Sequence, residues 1–125
     1  MQHGLPAAPD PAGVAIETAE LVRRLRDGSL VVVDVLPEES FAAGHIPGAR
    51  SLPLAALRER ARDVLPDPRA EIAVYCAGES CTRADDAIER LRELGYRSLR
   101  HYHGGLADWT RSGGPLEPGG EEGGA

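Results

Sequence analysis

Cys76 ends an apolar run, Ala70-Glu71-Ile72-Ala73-Val74-Tyr75, and a short polar segment follows it, Ala77-Gly78-Glu79-Ser80-Cys81-Thr82. The run has the β-branched and aromatic content of a buried strand. From Arg83 to Leu94 the pattern changes to that of an amphipathic helix. Ala84, Ala87, Ile88 and Leu91 share its apolar stripe, and Gly95 is the stop signal. This order predicts a thiol at the carboxyl end of a strand, in a loop that opens onto a helix N-terminus. Backbone N–H groups and the helix dipole favour an anion there. A thiolate so placed has a lowered pKa and is a nucleophile at neutral pH. A cysteine taken alone is more often a small buried hydrophobe. The neighbouring Gly78, Ser80 and Thr82 favour the exposed loop.

The elements that must position this thiol alternate along the chain. Gly13-Val14-Ala15-Ile16 is a short strand candidate. Thr18 is expected to cap a helix with Leu21, Val22 and Leu25 on one face and Gly28 as its end. Leu30 to Val35 is almost wholly apolar, as a central parallel strand covered on both faces must be. Pro37 opens a short helical stretch that closes at Gly44, and Ser51-Leu52 is a brief extended piece. Leu54, Leu57, Ala61 and Val64 recur at helical spacing as far as Pro66. Ser98 to Tyr102 reads as a last strand and Leu106 to Ser112 as a last short helix. Such alternation implies a mostly parallel sheet with helices on both faces. Ligands of these folds bind at the carboxyl ends of the strands, where Asp34, Cys76 and His101-Tyr102-His103 fall.

A chain of 125 residues allows one domain. With 42% hydrophobic and 27% charged residues it has the composition of an ordinary globular protein. A net charge of −6 argues against nucleic acid as a partner. No apolar run is long enough for a membrane span. Met1 to Pro6 lacks the basic-then-apolar pattern of a signal peptide, so a cytoplasmic location is the expectation. In that compartment two cysteines point to chemistry more than to a structural disulfide. Residues 1–12 are Pro-rich and expected to be loose, residues 13–117 to form the domain, and the Gly/Glu-rich residues 118–125 to be disordered.

A second segment identifies the family. Asp34-Val35-Leu36-Pro37-Glu38-Glu39-Ser40-Phe41-Ala42-Ala43-Gly44-His45-Ile46-Pro47-Gly48-Ala49 resembles the N-terminal signature of rhodanese-like domains, with Gly44 to Ala49 matching its most characteristic run in full. Gly104-Gly105-Leu106-Ala107-Asp108-Trp109 and then Gly114-Pro115-Leu116-Glu117 resemble the third signature. Cys76 falls where that family carries its persulfide-forming cysteine. The resemblance spans roughly Val14 to Glu117. It implies a five-stranded, mostly parallel sheet flanked by helices on both faces, and single-domain sulfurtransferase chemistry without a cofactor. The partners so implied are a small-molecule or protein sulfur donor and a thiol or cyanide acceptor.

The chain departs from the pattern in two places. Leu36 stands where the family usually has Arg, and Ser40 where it usually has Glu, so both charges of an ion pair are absent together. In the loop, Cys81 occupies the usual Arg position and the Arg comes at Arg83, which resembles a subgroup with a second cysteine five residues on. Glu79 adds a negative charge. A loop suited to dianionic thiosulfate would be basic, so a cysteine persulfide or a protein-bound sulfur donor stands equally open.

On this resemblance Cys76 would hold the transferred sulfur as Cys–S–S⁻. The amides from Ala77 to Thr82, including those of Gly78, Glu79, Ser80 and Cys81, would cradle that anion. Cys81 has two readings: a thiol that attacks the persulfide, releases sulfide and leaves a disulfide, or a small residue facing the sheet or helix. Arg83 either binds an anionic substrate or decorates the first helical turn, where a cation is favoured only beside an anion. Asp85 and Asp86 complement the helix dipole, and Ser80 and Thr82 are expected to cap the helix. Asp34 is expected to bond loop amides and His45 to fix loop geometry, each more than act as a base. His101 and His103 could line the entrance, but with Cys76 they lack metal-ligand spacing. Trp109 is expected to pack beneath the Gly104-Gly105 turn.

Two other classes stay in view. A non-catalytic rhodanese-like module would bind a partner, and so tolerate loss of Cys76, or sense oxidants with the Cys76/Cys81 pair. A phosphatase or arsenate reductase would need an Arg closing the loop. Here Arg83 comes seven positions after Cys76, and Glu79 would repel phosphate.

Overall fold

Period-2 alternation decides which way the central strands face. In Val31–Asp34 (β2), Val33 joins one core with the following Val35, while Val32 joins the other. In Glu71–Tyr75 (β4), Ile72 and Val74 point to the first core and Ala73 and Tyr75 to the second. Both strands are therefore apolar on both faces, which accounts for their unbroken hydrophobic runs.

The computed structural model describes residues 14–119. The remaining strands are Val14–Ala15 (β1), Arg50–Ser51 (β3) and Ser98–His101 (β5). Together they form one five-stranded sheet in the order β1-β5-β4-β2-β3, and every pairing is parallel. The helices are Thr18–Asp27 (α1), Glu38–Ala43 (α2), Leu57–Val64 (α3), Arg83–Glu93 (α4) and Gly105–Arg111 (α5). A 3-10 turn at Leu54–Ala56 leads into α3. Leu57 and Ala61 of α3 and Ala84, Ala87, Ile88 and Leu91 of α4 are buried on one face of the sheet. Leu21 of α1 and Trp109 of α5 are buried on the other.

Two expectations about caps are corrected. Thr18 is the first residue of α1, not its cap; Glu17 holds the cap position without a side-chain bond. The Thr18 hydroxyl instead meets the Tyr102 hydroxyl at 2.6 Å, a partner brought from the end of β5. Thr82 does occupy the cap position of α4, but neither it nor Ser80 caps through a side chain, and Asp86 N donates to the Thr82 carbonyl at 3.1 Å.

Register aligns the strand ends that matter. Asp34 lies opposite Tyr75, and Val74 opposite His101, so Asp34, Cys76 and Tyr102 leave the sheet at the same edge. Away from that edge, Glu71 at the start of β4 accepts hydrogen bonds from Arg24 (2.7 Å) and Arg100 (2.9 Å). Glu20 pairs with the same two guanidinium groups at 3.5 and 3.2 Å, completing an alternating four-charge network between α1 and the sheet.

Glu117, the last residue of the expected domain, exchanges two backbone hydrogen bonds with His45, at 3.0 and 2.8 Å, and Gly119, the second residue of the expected tail, donates its N–H to Ala42 O at 2.8 Å. Residues 120–125, like the expected loose segment 1–12, lie outside the described residues. Among the described residues, no helix is long and apolar enough to cross a membrane.

Candidate active site

Cys76 follows β4 directly and shares the face of Val74, so its side chain enters the core covered by α4 and is 2% exposed. The chain then leaves the sheet, and the N-terminus of α5 takes hold of it. Leu106 N donates to Cys76 O at 3.1 Å and Ala107 N to Ala77 O at 2.9 Å. A trans peptide points its N–H opposite to its C=O. These two bonds therefore turn the N–H groups of Ala77 and Gly78 away from α5, while also satisfying α5's own first amides. The contact is tight: a Cβ on Gly105 would stand 2.4 Å from Cys76 O, and the residue has φ +57°. Only glycine meets both conditions.

The rest of the loop curls back over the thiol. Cys81 N donates to Gly78 O at 3.0 Å, closing a turn, and the Cys81 carbonyl lies 3.4 Å from Cys76 Sγ. The two cysteines are joined as a disulfide, with their Cα atoms 6.4 Å apart, inside the span a disulfide requires. Cys81 also packs against the core that Cys76 enters. Ala77, Glu79, Ser80 and Thr82 are exposed, and Gly78 is half-buried.

Outside the loop lies a cleft of about 410 Å³ lined by Ala77, Gly78, Glu79 and Ser80 on one side and Gly104, Ala107, Asp108 and Arg111 on the other. Asp108 is ion-paired with Arg111. That pair neutralises itself, so Glu79 leaves the mouth net negative. Arg83 does not line this cleft. It lines a different one of about 580 Å³, with Arg90 facing Glu38 and Glu39. The loop's usual cation is thus missing from the mouth, and its position belongs to Cys81.

Beside the loop, at the ends of β2 and β4, a buried polar chain organises the neighbouring segment. Asp34 Oδ1 accepts from Leu36 N at 2.9 Å and Oδ2 accepts from the Tyr75 hydroxyl at 2.6 Å. That hydroxyl in turn accepts from Ile46 N at 3.1 Å. Burial pushes the Asp34 carboxyl above its ordinary pKa, and the Tyr75 bond opposes that rise. Burial also raises the Tyr75 phenol, with the Asp34 charge adding to it. His45 Nδ1 lies 2.9 Å from Phe41 O, its ring stacks on Phe41 at 3.7 Å, and Nε2 faces Glu117 at 3.6 Å. These contacts hold the segment from Gly44 to Ala49 in place.

The family model for the Rhodanese-like domain matches residues 17–112. The chain belongs to the rhodanese-like domain family. It is 39% identical over 105 residues to the HTH-type transcriptional regulator Rv0324 of Mycobacterium tuberculosis, a match that covers 84% of this chain and 45% of that protein. It is 35% identical over 77 residues to the thiosulfate sulfurtransferase PspE of Escherichia coli, covering 61% of this chain and 70% of the relative. Among solved structures, the BH2092 protein of Bacillus halodurans superposes with a TM-score of 0.78 at 29% identity, covering 85% of this chain and 77% of that one. The chain spans 45% to 59% of the length of three curated relatives it matches.

Within this rhodanese-like domain the loss of the usual Arg at position 36 has a structural explanation. Leu36 is 5% exposed and packs in the same core as Leu52 and Cys76, where a lone Arg would be a buried unpaired charge. His101 is buried, stacks on the exposed His103 at 3.7 Å and lies 3.5 Å from Asp85, so the entrance is lined by α5 and not by this histidine pair. Sequence reasoning missed Tyr75, Gly105, Asp108 and Arg111. Only the Gly104-Gly105 doublet carried a signal that could have found any of them, since two glycines before a helix suggest a close backbone approach. Trp109, expected to pack beneath the Gly104-Gly105 turn, is 5% exposed on the core side of α5, lies against Gly114, and donates its indole N–H to Pro115 O at 2.6 Å.

Proposed function

We propose that this rhodanese-like domain is a sulfurtransferase that carries sulfane sulfur on Cys76. The observation that carries the reading is the α5 clamp on the Cys76 and Ala77 carbonyls, which frees the Ala77 and Gly78 amides to face a sulfur anion. The α4 N-terminus beside the loop adds its dipole. The name of the Escherichia coli relative, a thiosulfate sulfurtransferase, supports the same chemistry.

In the first half-reaction the Cys76 thiolate attacks the outer sulfur of the donor, and sulfite or a thiol departs. In the second, a thiol or cyanide acceptor attacks the outer sulfur of the persulfide and regenerates the thiolate. Two successive displacements through a covalent intermediate give ping-pong kinetics. Glu79 at the mouth favours a persulfide donor over thiosulfate, because a carboxylate repels a dianion. The active form is the reduced one, since the disulfide occupies the nucleophile.

The Cys76–Cys81 pair also supports a second reading, a redox-sensing module in which oxidation of the pair is the signal. The regulator name of the Mycobacterium tuberculosis relative leans that way. Intact mass after reduction and incubation with thiosulfate, or separately with a cysteine persulfide, separates the two. The sulfurtransferase gains the mass of one sulfur atom when Cys81 is replaced by Ser, and none in Cys76→Ser. A module gains no sulfur from any donor.

A further inference from the structure

We infer that Cys81 discharges the Cys76 persulfide as hydrosulfide, which makes a dithiol reductant the co-substrate of this loop. The inference rests on the persulfide reading above.

The loop is anchored at both ends. Cys76 and Ala77 are held by the first amides of α5, and Thr82 is held by Asp86 N of α4. Between these anchors the Cys81 N–H to Gly78 O turn brings Cys81 back over Cys76. With the Cα atoms 6.4 Å apart, the Cys81 sulfur reaches Sγ of Cys76 itself while the chain on either side stays hydrogen-bonded. Which sulfur of a persulfide is attacked depends on access, and this geometry selects the inner one. An attack on the outer sulfur would only pass the persulfide from one residue to the other.

The step balances without another reactant. The Cys81 sulfur forms a bond to Cys76 Sγ as the bond from Sγ to the outer sulfur breaks. The outer sulfur departs as HS⁻, carrying the proton Cys81 gives up. The outer sulfur is reduced to sulfide, and the two cysteine sulfurs are oxidised to the disulfide. A dithiol reductant then opens the disulfide by thiol–disulfide exchange, is itself oxidised to a cyclic disulfide, and returns both cysteines to thiols. The net reaction converts sulfane sulfur and a dithiol into hydrosulfide and a disulfide. Glu79 at the mouth suits this outcome, because a net negative entrance holds no anionic product.

The test uses the full chain. Reduced wild type, Cys76→Ser, Cys81→Ser and Cys81→Ala are loaded with a cysteine persulfide, freed of donor, and followed without acceptor by intact mass and hydrosulfide assay. Wild type should release one hydrosulfide per chain and end two hydrogens lighter than the reduced protein. Both Cys81 variants should keep the added sulfur, releasing hydrosulfide slower by roughly tenfold or more, as expected when a tethered thiol at mM effective concentration is removed. Dithiothreitol should restore wild type for a second loading. Wild type that keeps its sulfur as long as the Cys81 variants overturns the inference and leaves the sulfurtransferase standing, as does migration of the sulfur to Cys81 without hydrosulfide. Failure of wild type and both Cys81 variants to take up sulfur overturns both.

Discussion

The backbone of Gly105 is seated against the backbone of Cys76, so that an added Cβ would lie 2.4 Å from the Cys76 carbonyl oxygen and 2.8 Å from Gly78 N. The neighbours are backbone atoms at the start of the loop that carries Cys76 and cannot swing aside as a flexible side chain would. Through this contact α5, more than 25 residues further along the chain, shapes the loop that holds the thiol.

Gly105→Ala should therefore damage stability and chemistry together. Overpacking and a positive φ add to a destabilisation of about 2–4 kcal/mol. Persulfide uptake per chain should drop with it. Gly95→Ala is the control, because Gly95 also has a positive φ (+104°) but nothing within 4 Å. It should cost about 1–2 kcal/mol and leave uptake intact. Urea denaturation, and intact mass after loading with Cys81 replaced by Ser in each chain compared, check both variants.

Tyr75→Phe should cost about 2–3 kcal/mol, since it leaves a buried carboxylate oxygen and Ile46 N without their partner. The effect should depend on pH. The Asp34 carboxyl has a folded-state pKa raised by burial, so its favourable contribution is complete below the unfolded pKa of about 4 and is lost as pH rises through the folded value. Removing the hydroxyl that opposes that rise enlarges the loss. The stability gap between variant and wild type should widen from acid to neutral pH in urea titrations.

Glu71→Gln should show the opposite pH behaviour. Hydrogen bonds from Arg24 first, and then from Arg100, hold the Glu71 carboxyl below its ordinary pKa. Its stabilisation is present above the unfolded pKa and is lost as pH falls through the lowered folded value. Wild type should exceed the variant by about 1 kcal/mol at neutral pH and low salt, a partly exposed network being screened by solvent. The difference should shrink in added salt and vanish in acid. Thermal melts at several pH values and ionic strengths read it directly.

Glu79→Gln should raise the rate with thiosulfate about two- to fivefold at low ionic strength, the equivalent of removing roughly 0.5–1 kcal/mol of repulsion at an exposed site. The rate with a neutral or singly charged persulfide donor should change less. A cyanide-coupled assay with both donors measures the ratio, and an unchanged ratio would show that Glu79 does not select the donor.

Much of this protein could be read locally. The unbroken apolar runs at Leu30 to Val35 and Ala70 to Tyr75 marked strands covered on two sides, and the stripe Ala84, Ala87, Ile88, Leu91 marked a one-faced helix. These signals are legible because backbone periodicity and side-chain burial repeat within a few residues. The run Gly44 to Ala49 carried the family by the same local means.

What the sequence by itself determined, then, is the order of elements, the parallel sheet and the placement of Cys76 at a strand end. The tertiary structure alone decided the rest. Thr18 gave up its expected cap for Tyr102, 84 positions away, and Asp34 found Tyr75 across 41 positions. Cys81 met Cys76 because α5 and α4 hold the two ends of a five-residue span, and spacing does not state a Cα separation. The physical reason is common to all three. A side-chain polar group takes whichever partner folding brings within about 3 Å, and that partner is chosen by packing between elements, not by the residues next to it in the chain.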